Sequence, residues 1–247
     1  MRKYEVLLVD ADDTLLDFPK AEKAALAEAC AGLGIAITPA QGERYAEINQ
    51  SVWRRFERGE ITQVELRTER FRLFLDEIGA AHSSEALADL FGRVLPADAP
   101  SEYSPEALAD LFVAALAKHA DALPGAEDFL REAAARVPVV VVTNGIASVQ
   151  RGRFALSPLK QYLTGHVISG EVGYQKPDPR MIFTALEIVN KPPEVALMLG
   201  DSLTSDIAAA NAAGCDSCWF NPGGKANTTP HRPTYEIKTL REALAWL

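Results

Sequence analysis

Four short apolar runs punctuate the chain: YEVLLV from Tyr4 to Val9, VPVVVV from Val137 to Val142, VALML from Val195 to Leu199, and the weaker SCWF from Ser217 to Phe220. Runs this short and rich in β-branched residues, separated by helical patterns, predict strands buried on both faces of a parallel sheet. The stretch between the first two runs reads differently. From about Pro19 to Arg136 there is no strand signal, and Ala, Leu, Glu and Arg dominate. Apolar positions Ile48, Val52 and Phe56, then Val64, Phe71, Phe74 and Ile78, recur near the helical period. The pattern predicts an α/β fold carrying a helical insertion.

The heptapeptide EALADLF occurs twice, at Glu85 to Phe91 and Glu106 to Phe112, each after serines able to cap a helix, with Pro105 suited to a first turn. Two copies do not make a solenoid, so the expectation is two similar amphipathic helices. Ala97 to Pro105 reads as a loop, Ala120 to Asp128 as the return to the α/β part, and Asn221 to Pro233 as a further loop.

Composition narrows the function. A length of 247 residues, 48% hydrophobic and 24% charged, fits a globular protein with a sizeable core. A net charge of -9 disfavours nucleic acid polymers and anionic membranes as partners, since both call for a basic face. No apolar stretch approaches the roughly 18 residues of a membrane span, and the N-terminus shows no signal-peptide pattern, so the expected location is cytoplasmic. Three cysteines, Cys30, Cys215 and Cys218, suit a reducing compartment. The C-x-x-C pair in GCDSCWF lacks a second pair or a neighbouring His, which favours two buried thiols over a zinc site. His82, His119, His166 and His231 have no metal-ligand spacing.

Chemistry gathers where the apolar runs end. Asp10, Asp12 and Asp13 crowd four positions after the first run, and such neighbours repel unless a cation or substrate uses them. In an open parallel sheet, ligands bind beyond the carboxyl ends of the strands, so residues after each run should converge. These are Asp10, Asp12 and Thr14; Thr143 and Asn144; and GDSLTSD from Gly200 to Asp206, with Lys176 in EVGYQKPDP between. Asp10 and Asp201 suit a shared Mg²⁺, with Mn²⁺ an alternative for the same oxygen ligands. An aspartate can attack phosphorus, and Asp12, two residues along an extended strand end, faces the same side to handle the leaving-group proton. Thr143, Asn144 and Lys176 supply donors and charge for phosphoryl oxygens.

DADDT, VVVVTNG, KPDP and GDSLTSD, in that order, resemble the four motifs of the haloacid dehalogenase-like phosphatases. The resemblance implies a Rossmann-like doubly wound parallel sheet, residues 1–17 and 119–247, with an inserted all-helical cap domain, residues 18–118. It also implies that Asp10 is the nucleophile and Asp12 the general acid and base, whose backbone carbonyl ligates Mg²⁺ beside Asp10 and Asp201. Asp206 then orders a metal water or Lys176, while Thr143 and Lys176 bind phosphate. Asp13 stands where many members carry Gly and is given no chemistry. Haloacid dehalogenases need no second acid, because halide leaves without a proton, so Asp12 argues for phosphate esters.

INQSVWRRFERGEIT, ELRTERF, LPGA, EVGYQKPDP and GDSLTSDIAAANAAG are similar to the bacterial pyrimidine 5'-nucleotidases. That resemblance implies hydrolysis of nucleoside monophosphates such as UMP and dTMP, and it weakens from about Ala80 to Ala120. Cap residues Asn49, Trp53 and Arg54 are candidates to face the nucleoside, although Trp53 also fits the apolar stripe of Val52 and Phe56. A sugar-phosphate phosphatase and a non-catalytic phosphate-binding regulator are the rival readings.

Overall fold

The computed structural model describes residues 3–79 and 103–247. The first copy of EALADLF, His82 and most of the expected loop from Ala97 lie outside the described residues. Among the described residues six strands form one parallel sheet: β1 (Val6–Val9), β2 (Val139–Thr143), β3 (Gly165–Ile168), β4 (Ala196–Gly200), β5 (Asp216–Phe220) and β6 (Tyr235–Ile237). Their order is β3-β2-β1-β4-β5-β6. The four apolar runs are four of these strands. Strands β3 and β6 escape the sequence pattern because GHVI is only half apolar and buried, and YEI spans three residues on the sheet's edge.

Alternation along each strand builds two cores. Leu7, Val9, Val139, Val141, Leu197 and Leu199 face one way, against Phe129 and Leu130 of a helix at Ala126–Ala134. Val6, Leu8, Val140, Val142 and Met198 face the other way, against Met181, Ile182 and Ala185 of a helix at Arg180–Val189 and Ala209 and Ala210 of one at Ala208–Ala213. Side chains alternate between faces with a period of two, so uninterrupted apolar runs are what a sheet covered on both sides requires. Cys218 belongs to the first core and Cys215 to the second, and all three cysteines are free and buried. The C-x-x-C pair is thus divided by the sheet.

The chain separates into two compact units, Met1–Ala21 with Ala117–Leu247, and Glu22–Leu116. The first holds the sheet. Among the described residues the second holds most of α1 (Phe18–Gly32) and all of α2 (Pro39–Glu57), α3 (Gln63–Glu77) and α4 (Pro105–Leu116). Capping boxes start two of them: Thr38 with Gln41 on α2 and Thr62 with Glu65 on α3. Ser104 accepts the Ala107 N–H at 3.3 Å ahead of α4, as its position before Pro105 predicts. Tyr45 lies with ring centroids 5.4 Å from Phe71, 5.4 Å from Phe74 and 5.6 Å from Phe112, an aromatic centre for α2, α3 and α4. Ile48, Val52, Phe56, Phe71 and Phe74 are buried as the helical period predicts. Val64 is 78% exposed although Ile61 and Leu66 on either side of it are buried, so the covered side of α3 in its first turn runs through Leu66 and leaves Val64 in solvent. Among the described residues no helix is long and apolar enough to cross a membrane.

Candidate active site

Strand β1 lies between β2 and β4, with Val9 level with Val141 and Leu199. This register puts Asp10, the next residue, beside the ends of both neighbours, and its N–H continues the ladder to the Leu199 carbonyl at 2.9 Å. Order β3-β2-β1-β4 reverses the direction of chain progression beside β1, the switch point at which open α/β sheets bind ligands.

Lys176 is the pivot. Its Nζ donates to Asp10 Oδ1, Asp206 Oδ1 and the Val142 carbonyl, each at 2.6 Å, so three donors meet three acceptors in a fully buried place. Burial opposes its charge, yet the carboxylates of Asp10 and Asp206 outweigh burial and hold its pKa above the ordinary lysine value. Asn144 fixes the backbone around it: Asn144 Nδ2 donates to the Lys176 carbonyl at 2.7 Å, and the Lys176 N–H donates to Asn144 Oδ1 at 2.8 Å. The second Nδ2 proton reaches Ser205 Oγ at 3.3 Å. The Asn144 carboxamide is thus spent on the lysine loop and on Ser205, so a donor from Asn144 to phosphate would be its backbone N–H.

Asp10, Asp201 and Asp206 offer carboxylate oxygens within 4.8 Å of one another. Burial, opposed by Lys176, pushes Asp10 up to about 7, and burial together with the charges of Asp206 and Asp10 holds Asp201 well above the usual carboxylate range. Asp206 is already committed, Oδ1 to Lys176 and Oδ2 to the Ser202 N–H at 3.0 Å. Asp10 and Asp201 therefore remain as oxygen donors whose repulsion Lys176 offsets only in part, a donor set that fits a hard divalent cation. The Asp201 backbone is set by its carbonyl, which accepts Trp219 Nε1 at 2.8 Å.

The turn after β1 explains the crowding of carboxylates. Asp13 has φ 62°, in the left-handed region where Gly is the usual residue and Asp is tolerated. Its place in the sequence where many members carry Gly is thus a matter of backbone shape. Asp12 is half-buried, its carboxylate held by Gln150 and Arg153. Thr143, closing β2, is buried, and its Oγ1 accepts Gln150 Nε2 at 3.3 Å.

The candidates in the helical unit take different positions. Asn49 is buried, donating to Glu22 Oε1 at 2.6 Å and accepting from Arg70 Nη1 at 2.8 Å. Trp53 is half-buried with its ring edge-on to Phe56 at 5.8 Å, and Arg54 is exposed. Sequence reasoning passed over Gln150, Arg153, Ser202 and Trp219. The polar pair Gln150 and Arg153, one turn apart directly after TNG, was a readable signal.

A doubly wound parallel sheet with a buried lysine bridging two aspartates at its switch point defines a hydrolase of the haloacid dehalogenase-like kind. The sequence model of the haloacid dehalogenase-like hydrolases matches residues 4–214, and the chain belongs to that family. It is 32% identical to the HAD-hydrolase YfnB of Bacillus subtilis over 98% of this chain and 94% of that protein. The crystal structure of YfnB, described as bound to magnesium, superposes with a TM-score of 0.84, covering 99% of this chain and 98% of that one. The chain is also 33% identical to the pyrimidine 5'-nucleotidase PynA of Streptococcus pneumoniae, over 98% and 94% of the two chains. The pyrimidine 5'-nucleotidase YjjG of Escherichia coli is 26% identical over 97% and 96%.

Proposed function

We propose that the chain hydrolyses phosphate monoesters through a phosphoaspartate at Asp10, and that pyrimidine nucleoside 5'-monophosphates are its substrates. The observation that carries the reaction is the Lys176 ammonium fixed 2.6 Å from Asp10 Oδ1 with Asp201 and Asp206 alongside. Lysine immobilises one oxygen of Asp10 and leaves the other for phosphorus. The substrate class is carried by the two pyrimidine 5'-nucleotidases that the chain matches over almost its whole length.

In the first step a bond forms between the free Asp10 oxygen and phosphorus as the ester P–O bond breaks. The leaving oxygen takes the bond's electron pair and a proton from Asp12. In the second, water gives a proton to Asp12 and attacks phosphorus, releasing Asp10 and inorganic phosphate. Asp12 ends each cycle protonated as it began. Thr143 and the Asn144 N–H hold the phosphoryl oxygens, and the Lys176 ammonium, its three protons already placed on Asp10, Asp206 and the Val142 carbonyl, adds its charge beside them. The Asp10 and Asp201 carboxylates with the Asp12 carbonyl would hold Mg²⁺, which supplies charge neutralisation between carboxylates and a phosphate dianion when bound; Mn²⁺ suits the same oxygens.

The test is phosphate release from UMP, dTMP, AMP, GMP and several sugar phosphates, for the natural chain and Asp10→Asn. Pyrimidine-selective turnover that Asp10→Asn abolishes is the expected result. Activity retained by Asp10→Asn would overturn the mechanism, and turnover of sugar phosphates alone would overturn the substrate class while leaving the mechanism standing.

A further inference from the structure

The helix at Ala147–Leu156, directly after the Thr143-Asn144-Gly145 turn, sends two polar side chains inward one turn apart. Gln150 is 2% exposed and Arg153 0%. Both end on Asp12. Gln150 Nε2 donates to Asp12 Oδ2 at 2.6 Å, and Arg153 Nη1 forms an ion pair with Asp12 Oδ1. One donor on each carboxylate oxygen fixes the rotation of the group as well as its position. Each oxygen retains a second lone pair, so the clamp leaves room for a proton to be taken up or given at Asp12.

The clamping residues are themselves held. Arg153 Nε donates to the His119 carbonyl at 2.9 Å, and its guanidinium lies 6.0 Å over the Phe18 ring. Gln150 Nε2 also reaches Thr143 Oγ1 at 3.3 Å, tying Asp12 to the end of β2. Two glycines make the approach possible. A Cβ on Gly145 would meet Gln150 Cγ at 2.7 Å, and one on Gly152 would meet the Ala117 carbonyl oxygen at 2.9 Å. Gly145 thus leaves room for the Gln150 side chain, and Gly152 lets the turn before Arg153 pack closely on Ala117. Arg153 is buried completely, whereas the Asp12 side chain is 26% exposed, so the charge with the larger desolvation cost serves the one that solvent reaches.

We propose that Arg153 and Gln150 are positioning residues that aim Asp12 at the leaving-group oxygen. The assignment rests on the reading of Asp12 as the proton donor. An aspartate has three staggered χ1 wells, and a donor displaced by about 1 Å can cost roughly 10²-fold in rate.

The experiment compares kcat/KM, which reports the phosphorylation step, for p-nitrophenyl phosphate and for the fastest alkyl phosphate of the substrate panel. p-Nitrophenolate leaves without a proton, whereas an alkoxide needs one. Asp12→Asn, Arg153→Met, Arg153→Lys and Gln150→Leu are measured beside the natural chain. The expected result is a loss of roughly 10²-fold on the alkyl ester, with a much smaller loss on p-nitrophenyl phosphate, in Asp12→Asn and Arg153→Met, and a weaker shift of the same sign in Gln150→Leu and Arg153→Lys. If Arg153→Met does not fold, those two milder variants carry the test. Equal losses on both esters in the Arg153 and Gln150 variants, with a selective loss in Asp12→Asn, would overturn the positioning role and leave Asp12 as the acid. Equal losses in Asp12→Asn itself would overturn the acid assignment and the clamp with it.

Discussion

Gly200 and Asp206 occupy one another's space: a Cβ built on Gly200 would overlap the Asp206 carboxylate and lie 2.7 Å from Asp206 Cβ. The glycine that opens GDSLTSD is there because the aspartate that closes it folds back across the strand end. Asp206 cannot yield, since one oxygen is bonded to Lys176 and the other to the Ser202 N–H. Gly200→Ala should therefore cost about 1–3 kcal/mol, as overpacking does, and should also displace Lys176. Denaturant unfolding and phosphate release measure the two effects; an alanine variant that keeps both would show that the fold-back is dispensable.

The helical unit has a comparable internal constraint. Asn49 links Glu22 to Arg70, with Arg70 2% exposed and its guanidinium 4.9 and 5.0 Å over the Phe71 and Phe112 rings. Asn49→Leu removes both links from buried charged partners. The expected loss is about 1–3 kcal/mol or more, read as a lower urea midpoint. Unchanged stability with a raised KM would instead make Asn49 a substrate contact.

A divalent cation should stabilise the chelator-treated protein by relieving repulsion between Asp10 and Asp201. At a hundredfold excess over its dissociation constant the gain is about 2.7 kcal/mol, visible as a raised melting midpoint. Asp201→Asn should lose that gain and should melt higher than the natural chain when both are metal-free, because a carboxylate crowded by Asp10 and Asp206 is removed. A Mg²⁺-induced shift of full size in Asp201→Asn would assign the cation elsewhere.

His166 supplies a pH dependence away from the site. Burial and then the neighbouring Arg151 charge lower its pKa below the ordinary 6.5, while Glu171 acts in the opposite direction. The folded chain then binds fewer protons here than the unfolded one. Its contribution to stability is complete above the unfolded pKa and is lost as pH falls through the lower folded pKa. An NMR titration should place His166 below 6.5, and Arg151→Gln should move it upward; no movement would exclude Arg151 as a cause.

The site was more legible than the sheet. Asp10, Thr143 and Asp201 lie at the ends of apolar runs, so the buried-strand pattern locates them without tertiary information, whereas Lys176 stands in a loop away from any run. Strands β3 and β6 were not legible because a short edge strand buries too little to need an apolar run. Asn144 and Asn49 show a second limit. A polar residue type announces that hydrogen bonds will be made, but their destination, here the Lys176 backbone and the Glu22–Arg70 pair, depends on what folding brings alongside. Val64 shows a third, since spacing from Phe71 puts it on the covered face, whereas in the first turn of α3 the residue that is buried is Leu66.

The division of Cys215 and Cys218 between opposite faces of the sheet has a practical side. Burial pushes Cys30 up to about 11 and both Cys215 and Cys218 up to about 12, so at neutral pH almost no thiolate is present for alkylation. The native fold is in effect cysteine-free toward a maleimide reagent. One cysteine introduced at an exposed position, such as Val64, gives a chain that takes a single spectroscopic probe without removing any native residue from its core.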